Sequence, residues 1–351
     1  MKKLLKKAIL TLIICFFISN VYTAKASAYI LSSGECVIEV QSGRILSSYN
    51  ENAILPMAST TKILTALTVI ENFSVDTVVT IPKSAVGIEG SSIYLREGEK
   101  LSVKELLYGL MLRSGNDCAE ALAQTLVSRD EFIKLMNDTA KKAGAKNSNF
   151  TNPHGLHDKN HYTTALDLCL ISSKAMKNSI FKEIVSTKKV SISNDGYSYD
   201  RVLINKNKLL FNYDGCTGVK TGYTKNAGRC LVSSAVKNGL EVVCVVINSP
   251  QMWERSKELL DFSFNNYKMV NLIDKNDFDN KIFKDKNNKS FAIELSTGFK
   301  YPLKNDEISK IKYKCNGKNF DDFINNPQNS AVFEIFIENE LIFSQNIFTI
   351  K

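Results

Sequence analysis

We interpret the sequence outward from the stretch Pro56-Met57-Ala58-Ser59-Thr60-Thr61-Lys62-Ile63-Leu64. A turn-forming proline precedes Ser59, and an apolar-rich segment from Ile63 to Ile70 follows it, which predicts the first turn of a buried helix. Residues three apart on a helix share a face, so the hydroxyl of Ser59 and the amine of Lys62 can meet.

A serine and a lysine in this spacing can form a nucleophile with its base. A serine hydroxyl needs a neighbouring base to take its proton, and a lysine serves only when burial lowers its pKa enough to make it neutral. The helix N-terminus adds partial positive charge where an oxyanion would form. Alone the pattern is weak, because a helix-capping serine and a solvated lysine produce it often by chance.

The first 26 residues have the composition of a secretory signal peptide. A basic start precedes an apolar run from Ala8 to Ile18, and the small residues around Ala26 and Ala28 fit cleavage after either one. The run is short for a membrane span, and an uncleaved anchor stays the alternative. Removing these residues takes away five lysines and no acid, so the net charge falls from +9 to +4. We expect export to the cell wall or the outer face of the membrane, and no nucleic-acid partner.

Cysteine and histidine spacing predicts neither a disulfide framework nor a metal centre. Seven cysteines follow the signal peptide, without Cys-x-x-Cys spacing and mostly in apolar runs. We expect buried free thiols, with a Cys216–Cys230 disulfide left open. His154, His157 and His161 lie in a loop with Pro and Gly and no nearby cysteine, so we expect no metal and no cofactor.

The middle of the chain is predicted to be helical. Helix starts follow capping residues or loops, and they are Ser102 (with Glu105 as capping-box partner), Cys118, Asp130 and Thr164. Gly144 predicts the end of the third helix, and Lys177 that of the fourth.

Strands are predicted on both sides of this helical part. Glu35 to Tyr49 is expected to form a hairpin, and Asn238-Gly239 to join a strand ending at Val236 to one over Leu240 to Ile247. Gln251 to Tyr267 is predicted to be a helix. The order strands, helices, strands, helix indicates an α+β domain with an antiparallel sheet.

From about residue 270, Lys- and Asn-rich turns separate short β-branched and aromatic runs. The last of these, 331–337 and 341–350, predict a hairpin. We predict three segments: the signal peptide at 1–26, an α+β domain at 27–269, and a small all-β domain at 270–351.

Two later motifs accompany Ser59 and Lys62. Ser114-Gly115-Asn116 lies in a predicted helix-to-helix loop, and Lys220-Thr221-Gly222 on a predicted strand. Ser-x-x-Lys, Ser-Asp-Asn and Lys-Thr-Gly occur together in class A β-lactamases and penicillin-binding proteins. Over roughly residues 30–270 the chain resembles these penicillin-recognising serine enzymes, because all three motifs stand in order and in context.

Within that superfamily the chain most resembles the low-molecular-weight penicillin-binding proteins, which are serine-type D-alanyl-D-alanine carboxypeptidases. The Ser-Gly-Asn motif, the segments 90–99 (which begins Gly90-Ser91-Ser92), 152–156 and 218–224, and the trailing β domain carry this resemblance. It implies a β-lactamase/transpeptidase-like domain, with an antiparallel sheet and a helical subdomain, at 27–269. Those enzymes often end in an amphipathic membrane helix, whereas this chain stops in a strand, so peripheral membrane association is left open.

The resemblance also implies a substrate and roles. The substrate is a peptidoglycan stem peptide ending in D-Ala-D-Ala, and β-lactams are covalent inhibitors. The implied catalytic residues are Ser59 as nucleophile, Lys62 as base and Ser114 as proton shuttle. The implied substrate-binding residues are Asn116, Lys220, Thr221, Gly222 and Tyr223.

Two alternative functions are each expected to show different sequence features. A class A β-lactamase uses a Glu in the loop before the Lys-Thr-Gly strand, and no Glu stands near Asn152-Pro153-His154. A penicillin adduct is therefore expected to be long-lived. A non-catalytic β-lactam sensor or wall-binding module is the other alternative, and the intact set of Ser59, Lys62 and Ser114 argues against it.

Overall fold

The computed structural model describes residues 32–279, 281–328 and 330–350. The signal peptide predicted for 1–26 lies outside the described residues. The strands are β1 (Gly34–Glu39), β2 (Ile45–Tyr49), β3 (Val78–Thr80), β4 (Lys100–Ser102), β5 (Lys189–Ile192), β6 (Arg201–Ile204), β7 (Cys216–Thr224), β8 (Gly228–Lys237), β9 (Leu240–Ile247), β10 (Lys268–Ile273), β11 (Phe283–Lys284), β12 (Ser290–Glu294), β13 (Phe299–Leu303), β14 (Ile311–Cys315), β15 (Lys318–Asn319), β16 (Ser330–Ile337) and β17 (Glu340–Ile350). The helices are α1 (Lys62–Asn72), α2 (Val103–Leu112), α3 (Asn116–Thr125), α4 (Arg129–Lys142), α5 (Ala165–Met176), α6 (Ser179–Ser186), α7 (Leu209–Asn212), α8 (Met252–Asn266) and α9 (Phe320–Asn325).

A five-stranded antiparallel sheet in the order β2-β1-β9-β8-β7 positions the rest of the molecule. Helix α5 packs on β1 and β9 from one side, and α8 packs on β8 and β9 from the other. Alternate side chains of a strand point to opposite faces, so strands covered on both faces need apolar residues throughout. In β1, Cys36 and Ile38 join the core on the α5 side, and Val37 joins the core on the α8 side.

The turn and most of the helix starts follow the sequence predictions. Asn238 and Gly239 both have positive φ, as the two-residue hairpin turn requires. The capping box of Ser102 and the cap at Thr164 are confirmed. The cap predicted at Asp130 is wrong, because Ser128 accepts the hydrogen bond from the backbone N–H of Glu131. Asp130 instead lies in the first turn of α4, where a negative charge favours the helix dipole.

The chain from β10 onward forms two further sheets. β10 pairs with β13, and six strands form the other sheet in the order β11-β12-β17-β16-β14-β15. Both sheets contribute to one hydrophobic core. The predicted final hairpin is confirmed as β16 and β17. The description as all-β was incomplete, because α9 inserts between β15 and β16 and buries Phe323 in this core. The boundary at 269/270 stays a prediction. Arg44, between β1 and β2, contacts this part through an ion pair with Glu307.

Two features bear on export and redox chemistry. All seven cysteines of the described chain are free, and six are buried, which confirms the buried thiols; the Cys216–Cys230 disulfide is not formed. Within 32–279, 281–328 and 330–350, no helix combines the length and the apolar character needed to cross a membrane.

Candidate active site

Ser59 lies in a 3₁₀ turn, Ala58–Thr61, that leads directly into α1. The hydroxyls of Thr60 and Thr61 donate to the carbonyls of Met57 and Ala58 at 2.7 and 2.8 Å, which closes the turn. Ser59 is half-buried, whereas Lys62, the first residue of α1, is fully buried. The predicted helix start is therefore confirmed, with a tighter first turn than an α-helix has.

Three oxygen atoms surround the amine of Lys62. Its Nζ lies 3.1 Å from Ser59 Oγ, 2.6 Å from Asn116 Oδ1 and 2.6 Å from the carbonyl oxygen of His154. Asn116 Oδ1 and the His154 carbonyl can only accept, so they take two N–H groups of Lys62. In the neutral amine, the remaining lone pair faces the hydroxyl of Ser59, which is the arrangement that proton abstraction needs.

Electrostatics favour the neutral form of Lys62. Burial lowers the pKa of Lys62 to about 7; Cys118 and Asp117 oppose this fall and Lys206 adds to it. Lys62 is thus half deprotonated near neutral pH, in agreement with the sequence-based requirement for a buried, neutral base.

The Ser114 motif approaches Lys62 from the junction of α2 and α3. Ser114 is 5% exposed and has φ +65°, a left-handed conformation rare for serine. Asn116 begins α3, and its amide has partners within the protein at both ends: Oδ1 accepts from Lys62 and Nδ2 donates to the carbonyl of Glu89. Each end keeps capacity for one more partner, since Nδ2 has a second N–H and Oδ1 a second lone pair.

Strand β7, at one edge of the sheet, forms the opposite wall. Lys220 is buried, and its Nζ donates to the carbonyl of Thr221 at 2.8 Å. Burial lowers the pKa of Lys220 well below its ordinary value, and the charges of Lys62 and Lys206 lower it further. Gly222 lies so close to the Ser59 turn that a Cβ there would be 3.1 Å from the backbone nitrogen of Ser59. Glycine therefore allows this close approach of two backbones.

Between the two walls lies a cavity of about 300 Å³, which we call the cleft. It is lined by Ser59, Ser91, Ser114, Lys206, Thr221, Gly222, Tyr223, Arg229, Met252 and Trp253. Five of these are predicted site residues, whereas Lys62, Asn116 and Lys220 are buried side chains that are not among the residues lining it. In the described chain the lining contains two cations, Lys206 and Arg229, and no carboxylate, which suits an anionic ligand.

The other five lining residues were not predicted to belong to the site. Ser91 stands in the Gly90-Ser91-Ser92 segment and could have been found there. Lys206, Arg229 and Trp253 belong to no motif, and only the fold brings them to Ser59. Lys206 Nζ donates to Ser91 Oγ at 3.0 Å, which ties two of these residues together.

The three histidines have separate surroundings. His161 Nδ1 accepts from the backbone N–H of Thr151 at 3.0 Å, so its Nε2–H donates to Thr61 Oγ1 at 2.8 Å, and burial lowers its pKa to about 4. His154 Nε2 lies 3.2 Å from Glu120 Oε1. Two of the three imidazoles therefore have partners that are not metals. Among the described residues, no group of three or more His, Cys, Asp or Glu could hold a metal ion.

The contact between His154 and Glu120 was not foreseen from the sequence. The loop that contains Asn152-Pro153-His154 has no glutamate of its own, but Glu120 of α3 contacts it through His154. Distance along the chain concealed it. Glu120 is 3% exposed and does not line the cleft, so it does not face a hydrolytic water there.

Comparison with known proteins decides the family. A family model described as peptidase S11, D-alanyl-D-alanine carboxypeptidase, matches residues 21–251, more than half of the chain. The chain belongs to this carboxypeptidase family. The resemblance inferred from the three motifs is confirmed.

Individual carboxypeptidases and solved structures agree with this assignment. The D-alanyl-D-alanine carboxypeptidase DacF of Bacillus subtilis (strain 168) is 34% identical over 296 residues, which cover 80% of this chain and 76% of DacF. The D-alanyl-D-alanine carboxypeptidase of Streptomyces sp. (strain K15) is 37% identical over 217 residues, covering 57% of this chain and 75% of that one. The crystal structure of the carboxypeptidase DacD from Francisella tularensis matches with a TM-score of 0.69 and 25% identity, over 91% of this chain and 93% of that one.

These findings confirm the predicted α+β fold and the predicted function, a serine-type D-alanyl-D-alanine carboxypeptidase. They lend no support to a β-lactamase or a non-catalytic sensor. The family acts outside the cytoplasm, on the cell wall.

Proposed function

We propose that Ser59 and Lys62 carry out the carboxypeptidase reaction through an ester on Ser59. Neutral Lys62 takes the proton of the Ser59 hydroxyl, and Oγ attacks the carbonyl carbon between the two terminal D-alanines. The observation that carries this proposal is the 3.1 Å approach of Nζ to Oγ, with two carbonyl oxygens occupying the other hydrogen-bonding directions of the amine.

The oxyanion that forms next needs donors already in position. We assign this role to the backbone N–H groups of Ser59 and Tyr223. The close passage of Gly222 beside the nitrogen of Ser59 supports the assignment, because it brings β7 and the helix start to the same point of the cleft. Preorganised donors of this kind stabilise the transition state by a few kcal/mol, roughly 3 for one donor.

Collapse of the tetrahedral intermediate breaks the peptide C–N bond. The proton held by Lys62 passes through Ser114 to the leaving amine, and free D-alanine departs. A water molecule then attacks the ester carbonyl, gives its proton to Lys62, and the shortened peptide leaves as Ser59 regains its hydrogen. Ser114 suits the shuttle because its strained backbone holds it at the cleft wall. Asn116 orients Lys62 and, through the second N–H of its amide, can hold the peptide amide.

Lys220 and Thr221 are proposed to read the C-terminal carboxylate of the substrate. A carboxylate entering the cleft would favour the charged form of Lys220 and receive charge-assisted hydrogen bonds. Gly222 leaves room for the substrate backbone beside β7. A dipeptide end with a free carboxylate is therefore the preferred ligand.

The proposed setting is the outer face of the cytoplasmic membrane or the cell wall. It rests on the predicted signal peptide, cleaved after Ala26 or Ala28, and peripheral membrane association is part of the proposal. The domain division at 27–269 and 270–351 is proposed in the same way. Peptidoglycan stem peptides are the substrate, and β-lactams acylate the same serine.

The test compares a stem pentapeptide ending in D-Ala-D-Ala with a chromogenic β-lactam. We expect release of one D-alanine per peptide, and slow colour turnover with a stable adduct, both lost in Ser59→Ala. Fast lactam turnover without D-alanine release would favour a β-lactamase. Neither release nor labelling by the wild type would favour a binding module.

A further inference from the structure

Glu120 is a buried carboxylate that has no direct part in the proposed reaction. It lies on α3 four residues after Asn116, and residues four apart share a helix face. Asn116 contacts Lys62 directly. Glu120 contacts His154, whose backbone carbonyl accepts a hydrogen bond from Lys62. One face of α3 thus carries both supports of the amine.

The hydrogen bond between His154 and Glu120 has a defined direction. The Nδ1 atom of His154 accepts from the backbone N–H of Leu156 at 3.1 Å, so a neutral ring carries its proton on Nε2 and donates it to Glu120. Burial lowers the pKa of His154 below its ordinary value, which keeps the ring neutral.

Glu120 is ionised and firmly held. Burial alone would raise its pKa, but hydrogen bonds from His154, Arg129 and Gln124 outweigh burial and lower the pKa to about 2. Arg129 donates from Nε to Oε2 at 3.0 Å, and Gln124 donates from Nε2 to the same oxygen at 2.7 Å. The carboxylate is therefore a fixed anchor for the ring of His154.

The loop that carries His154 is pressed against the start of α1. The carbonyl of Pro153 accepts from Thr65 Oγ1 at 2.6 Å, and that of His154 accepts from Lys62 at 2.6 Å. A Cβ at Gly155 would lie only 2.0 Å from the carbonyl oxygen of Ala58, so loop and Ser59 turn are in tight contact. A displacement of the ring would move the carbonyl that receives the N–H of Lys62.

We propose that Glu120 is a positioning residue, which fixes the ring of His154 and thereby holds the amine of Lys62 on the hydroxyl of Ser59. This inference rests on the proposed role of Lys62 as the base. Other charged or titratable groups around Lys62 are Asp117, Cys118, His161, Lys206 and Lys220. They remain in place when Glu120 is replaced.

The experiment measures the rate of acylation by a fluorescent penicillin across the pH range, for wild type and four variants: Glu120→Val, Glu120→Gln, Arg129→Met and Lys62→Met. Glu120→Val removes the anchor and should lower the plateau rate by about 10- to 100-fold, the effect of a small misplacement of reacting groups. It should also move the acid limb to lower pH, since loss of the carbonyl contact removes an acceptor that favours protonated Lys62. Glu120→Gln still accepts the hydrogen bond and should keep most of the plateau rate.

Arg129→Met is a graded variant of the same anchor. It removes donors to both carboxylate oxygens of Glu120 but leaves the contact with His154 possible, so it should lower the melting temperature and lower the plateau rate less than Glu120→Val does. If Glu120→Val does not fold, His154→Phe keeps the carbonyl and removes the ring donor, and the same two changes are expected.

The results separate this inference from the function it rests on. If Glu120→Val folds and keeps the plateau rate and the acid limb of the wild type, while Lys62→Met is inactive, the positioning role is overturned. An active Lys62→Met would overturn the proposed function itself. Equal losses in Glu120→Val and Arg129→Met, with no movement of the acid limb, would mean that Glu120 only stabilises the fold.

Discussion

The two walls of the cleft each contain a buried lysine, and the two lysines differ in their partners. Lys62, on the helical wall, has three oxygen atoms around its amine. Lys220, on the β7 wall, has a single hydrogen-bond acceptor in the described chain, the carbonyl of Thr221. Burial lowers the pKa of both amines.

This difference in hydrogen-bond partners indicates different roles for the two lysines. Around Lys62 every hydrogen-bonding direction has a partner, and a neutral amine can only use its lone pair on the hydroxyl of Ser59. Lys220 keeps N–H groups without a described acceptor, which a substrate carboxylate would satisfy. An amine whose hydrogen-bonding directions all have partners thus suits a base, and an amine with free N–H groups suits a site that binds an anion.

The largest effect is expected from Lys62→Met. Loss of a positioned base slows proton transfer by roughly 10²–10⁴-fold, so acylation by peptide and by penicillin should fall alike. Stopped-flow labelling measures the rate, and circular dichroism verifies the fold. Acylation within tenfold of the wild type would mean that another group takes the proton.

Lys220→Met should be more selective. A hydrogen bond to a charged group contributes about 1.5–3 kcal/mol, so we expect roughly a 10- to 100-fold loss on a peptide with a free C-terminal carboxylate. The same peptide as its C-terminal amide should lose little. The ratio of kcat/KM for the two peptides is the measurement, with wild type as reference. Equal losses on both peptides would mean that Lys220 does not bind the C-terminal carboxylate.

The pH dependence of acylation sharpens the assignment of Lys62. Its pKa is lowered to about 7, so the neutral fraction falls below pH 7 and the rate should fall with it, tenfold per pH unit. Lys206→Met removes a positive neighbour, which favours protonated Lys62, and should move this limb to higher pH. A limb that stays in place in Lys206→Met would show that another group controls it.

Stability should show the smallest difference. Methionine at 62 leaves Asn116 Oδ1 and the His154 carbonyl without their donor, whereas methionine at 220 frees only one carbonyl. An unsatisfied buried group costs about 1–3 kcal/mol, so Lys220→Met should be the more stable variant by about that amount. Urea unfolding measures the stability of both variants. The reverse order of stability would contradict the difference in hydrogen-bond partners between the two lysines.

The sequence predicted the elements whose signals are local. The Asn238-Gly239 turn, the Ser102 capping box and the Thr164 cap each depend on a few neighbouring residues. The hairpin of β5 and β6 was missed because Val202 and Ile204 are half exposed while Leu203 between them is buried, so its apolar residues do not mark the buried face. The cap at Ser128 competed with an equally plausible Asp130.

In the candidate site, too, local patterns were predictable from the sequence and long-range contacts were not. The three motifs predicted the residues on both walls, because each motif is a short pattern with a known context. The support of Lys62 by the His154 carbonyl, and of His154 by Glu120, joins distant segments through backbone atoms and a loop. Backbone contacts leave no side-chain pattern in the sequence, so only the fold reveals them.

The most direct test of the account is a titration of Lys62 itself. The ¹³C resonances of labelled lysine side chains would be followed against pH in the free protein, and the Lys62 signal identified by its loss in Lys62→Met. The account predicts a midpoint at a pKa of about 7. A Lys62 signal that titrates near the ordinary lysine value of about 10.4 would contradict a neutral base next to Ser59.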